Sequence, residues 1–194
     1  MKIGVFVGCF DPVHNSHIKI VTYLTEHVLD KVVIVPASNN YERKGLTDIE
    51  QRIRMLKLTF ENNIKIEICD KRFCNENVHT FMVMDALKKR FPYDELFIIC
   101  GSDNLKTVET WRGAEHLLSN FKMIAVSRDK ENLETLIGND VFLRDHASNI
   151  YILSIVIESI SSTQIRTNVQ KGKPIDDLTT KEVVDHIKKY KLFK

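Results

Sequence analysis

The chain reads as an α/β protein with a mainly parallel sheet, and three features predict it. Apolar, largely β-branched runs at 3–7, 31–37, 95–100 and 121–127 alternate with amphipathic helical patterns. The first run leads straight into Gly8-Cys9-Phe10-Asp11-Pro12-Val13-His14-Asn15-Ser16-His17, a strand, a turn and a helix start. The run at 95–100 repeats that arrangement, entering Gly101-Ser102-Asp103-Asn104-Leu105. In open parallel sheets, ligands bind in the crevice at such strand ends.

Composition narrows the function classes. The 194 residues point to one domain spanning 1–194, with 43% hydrophobic and 28% charged residues, ordinary for a soluble protein. A formal charge of +2 gives no electrostatic case for nucleic acid or a membrane surface as partner. No apolar run reaches the ~18 residues of a membrane span, and Asp11-Pro12 interrupts the first run too early for a signal peptide. The expected location is therefore cytoplasmic. Four cysteines (Cys9, Cys69, Cys74, Cys100) fit reduced thiols, in no zinc-binding spacing.

Taken in order, 3–7 is a buried first strand. His14 and His17, three apart, share a face of the following helical turn, where two imidazoles beside a helix N-terminus suit a phosphate. A polar surface turn explains the same spacing. A metal site from Asp11, His14 and His17 lacks a further ligand, so no metal ligands are assigned. Cys9 could be a reactive thiol, but nothing nearby completes a catalytic set for it.

Ile20, Val21, Leu24 and Val28 carry the first helix to about Leu29, and 31–37 is the second strand. The polar stretch 38–47, with Tyr41, Arg43 and Lys44, reads as a solvated connection or as a flap whose cations close over a polyphosphate. Ile49, Ile53, Leu56 and Phe60 mark a second amphipathic helix, with Arg52, Arg54 and Lys57 read as its solvated faces. A third strand spans 64–69. A helix over 79–90 buries Phe81, Met84 and Leu87 and ends at Phe91-Pro92.

After the fourth strand, Asp103 is either a helix cap or an acceptor for sugar hydroxyls, and Trp111 is either core or a stacking platform. A helix to Leu118 and a fifth strand at 121–127 follow, with Arg128 just past it. The segment 138–149 is turn-rich, and 150–157 is a last strand. In Ile160-Ser161-Ser162-Thr163-Gln164-Ile165-Arg166, Ser161 and Gln164 fit a capping box, while the hydroxyls, the free N–H groups and Arg166 would also suit a phosphate. Val183, Val184, Ile187 and Tyr190 mark a C-terminal amphipathic helix.

The first turn resembles the signature of the HxGH nucleotidyltransferases, and 160–166 is similar to that superfamily's second motif, ISSTxIR. Gly101-Ser102-Asp103-Asn104-Leu105 with Trp111, and Ser127-Arg128, are similar to the nicotinate (or nicotinamide) mononucleotide adenylyltransferases over nearly the whole chain. The chain departs from that pattern at three points. It has Val7-Gly8-Cys9 for Gly-Gly-Thr/Ser, Ser16 for the glycine of HxGH, and Val78-His79-Thr80 for Ser-Tyr-Thr.

The resemblance implies a Rossmann-like, doubly wound fold with helices on both faces of the sheet. It also implies transfer of AMP from ATP to a pyridine mononucleotide with loss of pyrophosphate, Mg²⁺ accompanying ATP. His14, His17 and Arg166 are the catalytic set it implies. Gly8, Cys9, Phe10, His14, His17, Gly101, Asp103, Ile160, Ser161, Ser162, Thr163 and Arg166 would bind ATP. Lys44, Thr80, Trp111 and Arg128 would bind the acceptor, Trp111 by stacking on the pyridine ring. Lys44 with Arg52 stands where that family has a basic loop and an arginine on the following helix. The alternatives are a sibling enzyme acting on phosphopantetheine or using CTP, and a non-catalytic nucleotide-binding domain. Nicotinate and nicotinamide both remain open as acceptor, and a homo-oligomer is compatible with the sequence.

Overall fold

Strands β1 (Lys2–Gly8), β2 (Lys31–Pro36), β3 (Ile66–Ile68), β4 (Glu95–Gly101), β5 (Lys122–Val126) and β6 (Ile150–Leu153) form one parallel sheet in the order β3-β2-β1-β4-β5-β6. The computed structural model describes residues 1–38, 45–70, 78–127, 132–155 and 160–194. The chain builds outward from β1 to β3 on one side, then returns to place β4 on the other. Val5 accordingly pairs with Val33 of β2 and with Ile98 of β4. That reversal opens a crevice between the C-terminal ends of β1 and β4.

The helices described are α1 (Asn15–His27), α2 (Ile49–Phe60), α3 (Thr80–Arg90), the single turn α4 (Ser102–Leu105), α5 (Ala114–Asn120), α6 (Leu133–Asn139), α7 (Val141–Asp145), α8 (Ser162–Gln170) and α9 (Lys181–Tyr190). Side chains alternate across β1, so Phe6 joins one core while Ile3 and Val5 join the other. The first core packs Ile20, Leu24, Leu56, Ile165 and Val184 of α1, α2, α8 and α9 against the sheet. The second packs Met84, Leu117, Ile137 and Leu143 of α3, α5, α6 and α7. Helices thus cover both faces, as expected. Gly4 permits the closest approach, since a Cβ there would lie 2.5 Å from Leu29 Cδ1.

Several expectations need correction. The third strand begins at Ile66, and Ile64 is 99% exposed, because the turn at 60–63 carries it out of the sheet. Phe81 is only partly buried, and Val83 takes its place in the core beside Met84 and Leu87. Tyr190 is exposed at the end of α9, and His186 occupies the buried face instead. The turn-rich stretch holds α7, and α6 precedes it. Each is too short to show a period, and their polar residues are caps: Asn132 accepts from the Thr135 N–H and Asp140 from the Leu143 N–H. The last strand ends at Leu153, and 154–155 already leave the sheet; 156–159 lie outside the described residues, as do 39–44 of the polar loop. Among the described residues, no helix is long and apolar enough to cross a membrane.

Arg52 is the largest departure. Read as surface, it has no exposed area. Its Nε donates to the Thr47 carbonyl (2.9 Å), Nη1 to Cys9 (2.8 Å) and Nη2 to Ala37 (2.7 Å). A guanidinium with its donors aimed at backbone carbonyls is compatible with burial.

Candidate active site

The crevice at the β1 and β4 strand ends is a cavity of about 310 Å³. Its walls come from the two strand-turn-helix units, the start of α3, Trp111 and the start of α8. Gly8, Cys9, Phe10, His14, His17, Thr80, Gly101, Asp103, Trp111, Ser161, Ser162 and Thr163 all line it. Segments from across the sequence meet there because parallel strands all end on the same side of the sheet.

His14 is the N-cap of α1, with extended backbone (φ −143°, ψ 169°), and His17 lies in the first turn. The two rings stack with centroids 3.6 Å apart, and Phe10 meets His17 edge-on at 5.0 Å. The His14 N–H donates to His17 Nδ1 at 3.3 Å. That makes Nδ1 an acceptor and leaves Nε2 to carry the proton of the neutral ring. Phe10 takes a positive φ of 48°, an uncommon conformation for a residue with a side chain.

The second motif is tied directly to the first. Ser161 caps α8 by accepting from the Gln164 N–H at 3.1 Å. Ser162 Oγ donates to the Pro12 carbonyl (2.8 Å), and Ser16, buried in α1, donates to the Ile160 carbonyl (3.4 Å). The serine in place of the motif glycine therefore points away from the cavity and pins the two helix starts together. Arg166 donates to the Asp11 carbonyl (2.7 Å) and to Thr163 Oγ1 (3.0 Å).

Two expected ATP-site residues stand apart from the cavity lining. The Ile160 side chain packs in the core, 6% exposed, because an aliphatic group gains by leaving water. Arg166 stands behind Thr163, its guanidinium turned to the 11–12 turn. Lys44 and Arg128 lie outside the described residues.

On the opposite wall, Trp111 follows a 3₁₀ turn (Val108–Thr110), and Thr80 is the first residue of α3. Asp103 sits in α4, whose N-cap is Gly101, so it lies within the first turn rather than at the cap. The first turns of α1 and α8 both contribute to the cavity lining, and the positive end of a helix favours bound phosphate. The Asn15 N–H, however, is already donated to the Leu178 carbonyl and the Gln164 N–H to Ser161.

Sequence reasoning named two further residues but not the part they play in holding this turn. Arg52 grips the Cys9 carbonyl, and buried Asp11 accepts the Thr47 N–H on Oδ2 at 3.0 Å. A signal for Arg52 was present: it stands three residues after Ile49 and four before Leu56, on the apolar stripe of α2.

A family model described as cytidylyltransferase-like matches residues 5–168. A protein of Fusobacterium nucleatum named "Probable nicotinate-nucleotide adenylyltransferase" is 35% identical, over 97% of this chain and 98% of its own. One of the same name from Flavobacterium johnsoniae is 32% identical, over 98% and 100%. Among solved structures, Plasmodium falciparum nicotinic acid mononucleotide adenylyltransferase complexed with NaAD superposes with a TM-score of 0.83 at 21% identity, covering 99% of this chain and 97% of that one. On the family model and these relatives, the chain belongs to the cytidylyltransferase-like family, among the nicotinate-nucleotide adenylyltransferases.

Proposed function

We propose that this protein transfers AMP from ATP to nicotinate mononucleotide, releasing pyrophosphate and forming the dinucleotide of NAD biosynthesis. The observation that carries the reading is the convergence of two helix N-termini and the stacked His14–His17 pair on one cavity, faced by Trp111. The first half of that set suits a polyphosphate. The second suits a flat ring.

The acceptor's 5′-phosphate is already anionic near neutral pH, so it needs no general base. One of its oxygens attacks the α-phosphorus of ATP, the bond from that phosphorus to the oxygen bridging to the β-phosphate breaks, and pyrophosphate leaves. The protein's task is to position the reactants and stabilise the negative charge that builds at phosphorus. His17 Nε2–H donates to an α-phosphate oxygen, its ring held between His14 and Phe10. The Thr163 hydroxyl and the backbone N–H groups of Ser162 and Thr163 at the α8 N-terminus receive the outgoing β- and γ-phosphates, with the Ser162 hydroxyl spent on Pro12 and Arg166 orienting Thr163. Gly101 and Asp103 face ribose hydroxyls. Cys9, where relatives carry a hydroxyl, offers a weaker donor, so backbone N–H groups carry more of the phosphate contact there.

ATP enters as its magnesium salt. Among the described residues no three His, Cys, Asp or Glu side chains converge as a metal cage, and Mg²⁺ characteristically stays on phosphate oxygens and water. Trp111 stacks on the pyridine ring. The N-terminus of α3 opens at Thr80 beside it, and its positive end favours the nicotinate carboxylate over a neutral amide.

Pyrophosphate release from Mg·ATP, with nicotinate mononucleotide, nicotinamide mononucleotide and phosphopantetheine offered separately, tests the reading. The nicotinate form should be the preferred acceptor. Release only with phosphopantetheine, or only with CTP as donor, would move the protein to a sibling activity. ATP binding without release would make it a binding domain.

A further inference from the structure

The family match ends at residue 168, yet the segment beyond it reaches back to the catalytic turn. Thr179, 3% exposed, donates its hydroxyl to the Val13 carbonyl at 2.8 Å. The Leu178 carbonyl accepts the Asn15 N–H at 3.0 Å, and the Asp177 carbonyl accepts Asn15 Nδ2 at 2.9 Å. Val13 and Asn15 flank His14. The Val13–His14 peptide is thus held through its oxygen and the His14–Asn15 peptide through its nitrogen. Fixing both planes fixes φ and ψ of His14, and with them the direction in which its imidazole leaves the chain.

The same peptide goes further. Its oxygen accepts from Thr179, and its N–H donates to His17 Nδ1. A peptide that accepts a hydrogen bond on one side is a better donor on the other. We propose that Thr179 is a positioning residue for adenylyl transfer, acting through the Val13–His14 peptide to hold His17 with its proton on Nε2, and that the 177–179 segment is a working part of the active site. The inference rests on the reaction proposed above.

Thr179→Val keeps the shape of the side chain and removes the donor; Thr179→Ser keeps the donor. The expected result for Thr179→Val is a fall in kcat of about tenfold, with KM for ATP and for the nucleotide acceptor within about twofold of wild type. Thr179→Ser should retain at least half of the wild-type kcat. In ¹⁵N-histidine spectra, with His17 assigned by a His17→Gln control, Thr179→Val should shift His17 from the Nε2–H form towards a mixture of tautomers. Wild-type kcat and unchanged His17 signals in Thr179→Val would overturn the proposal, as would a loss shared equally by the Ser and Val variants. If Thr179→Val does not fold, Asn15→Ala, at a half-exposed position, tests the same clamp. A threefold or larger fall in kcat at unchanged Tm supports it, and no fall overturns it. Should wild type turn over no acceptor, the proposed reaction fails, while the His17 nitrogen signals still decide the clamp.

Discussion

The buried guanidinium of Arg52 donates to the Cys9 carbonyl at 2.8 Å, joining α2 to the turn that carries the histidine pair. Two more donors of the same group hold Thr47 and Ala37. Arg52→Met would leave the buried Ala37 carbonyl and the partly buried Cys9 and Thr47 carbonyls without this donor, at up to about 1–3 kcal/mol each before relaxation. Unfolding in urea should show a loss of about 3 kcal/mol or more, and kcat should fall as the turn loosens. Arg52→Lys should recover only part of both, because an ammonium cannot reproduce the planar fork.

His17→Ala removes the group that the proposed reaction assigns to the α-phosphate. A drop of about 10²–10³ in kcat is expected, with native stability nearly retained because the ring is only half-buried. A decrease under threefold in steady-state assays would exclude His17 from the transition state.

His186 lies between α9 and α2, 7% exposed, with Nε2 2.7 Å from Gln51 Oε1 and the Tyr190 ring beside it. Burial first, then the charges of Arg54 and Lys189, push its pKa below the ordinary 6.5. Below 6.5 the unfolded chain takes up the proton more readily than the folded one, so protonation favours unfolding. This contribution to stability is therefore complete above about pH 6.5 and declines as the pH falls through and below that value. Urea titrations at pH 7.5 and 5.5 should show a larger acid loss in wild type than in His186→Gln. Equal losses would contradict the assignment.

Gly113 takes a positive φ of 75°, and a Cβ there would lie 2.6 Å from Phe81 Cδ1. It lets the turn after Trp111 close against the start of α3, the two walls assigned to the acceptor. Gly113→Ala adds the left-handed penalty of about 1–2 kcal/mol to that contact. KM for the acceptor should rise severalfold while KM for ATP stays near wild type. Steady-state kinetics with each substrate varied in turn would show the split.

These residues also show where sequence reasoning reaches and where it stops. The first strand, the histidine pair and Ser161 are set by local chemistry, so their places could be read in order along the chain. The doubly wound arrangement followed from alternating strands and helices together with the family resemblance. Arg52 defeated a reading by charge, since the backbone carbonyls of Cys9, Ala37 and nearby Thr47 decide its burial and a backbone carbonyl has no side-chain signature. Asp140 looked like a turn residue because a helix of five residues shows its cap more clearly than its period. Thr179 carries no local sign of its bond to Val13, 166 positions away.

The most direct test of the central claim follows the α-phosphorus of ATP. Mg·ATP labelled at that position would be incubated with nicotinate mononucleotide and the products separated. The account predicts label in the dinucleotide in equal amount to unlabelled pyrophosphate, with neither formed by His17→Ala at a comparable rate. Label appearing in AMP alone, or remaining in ATP while the protein binds both substrates, would contradict adenylyl transfer at this site.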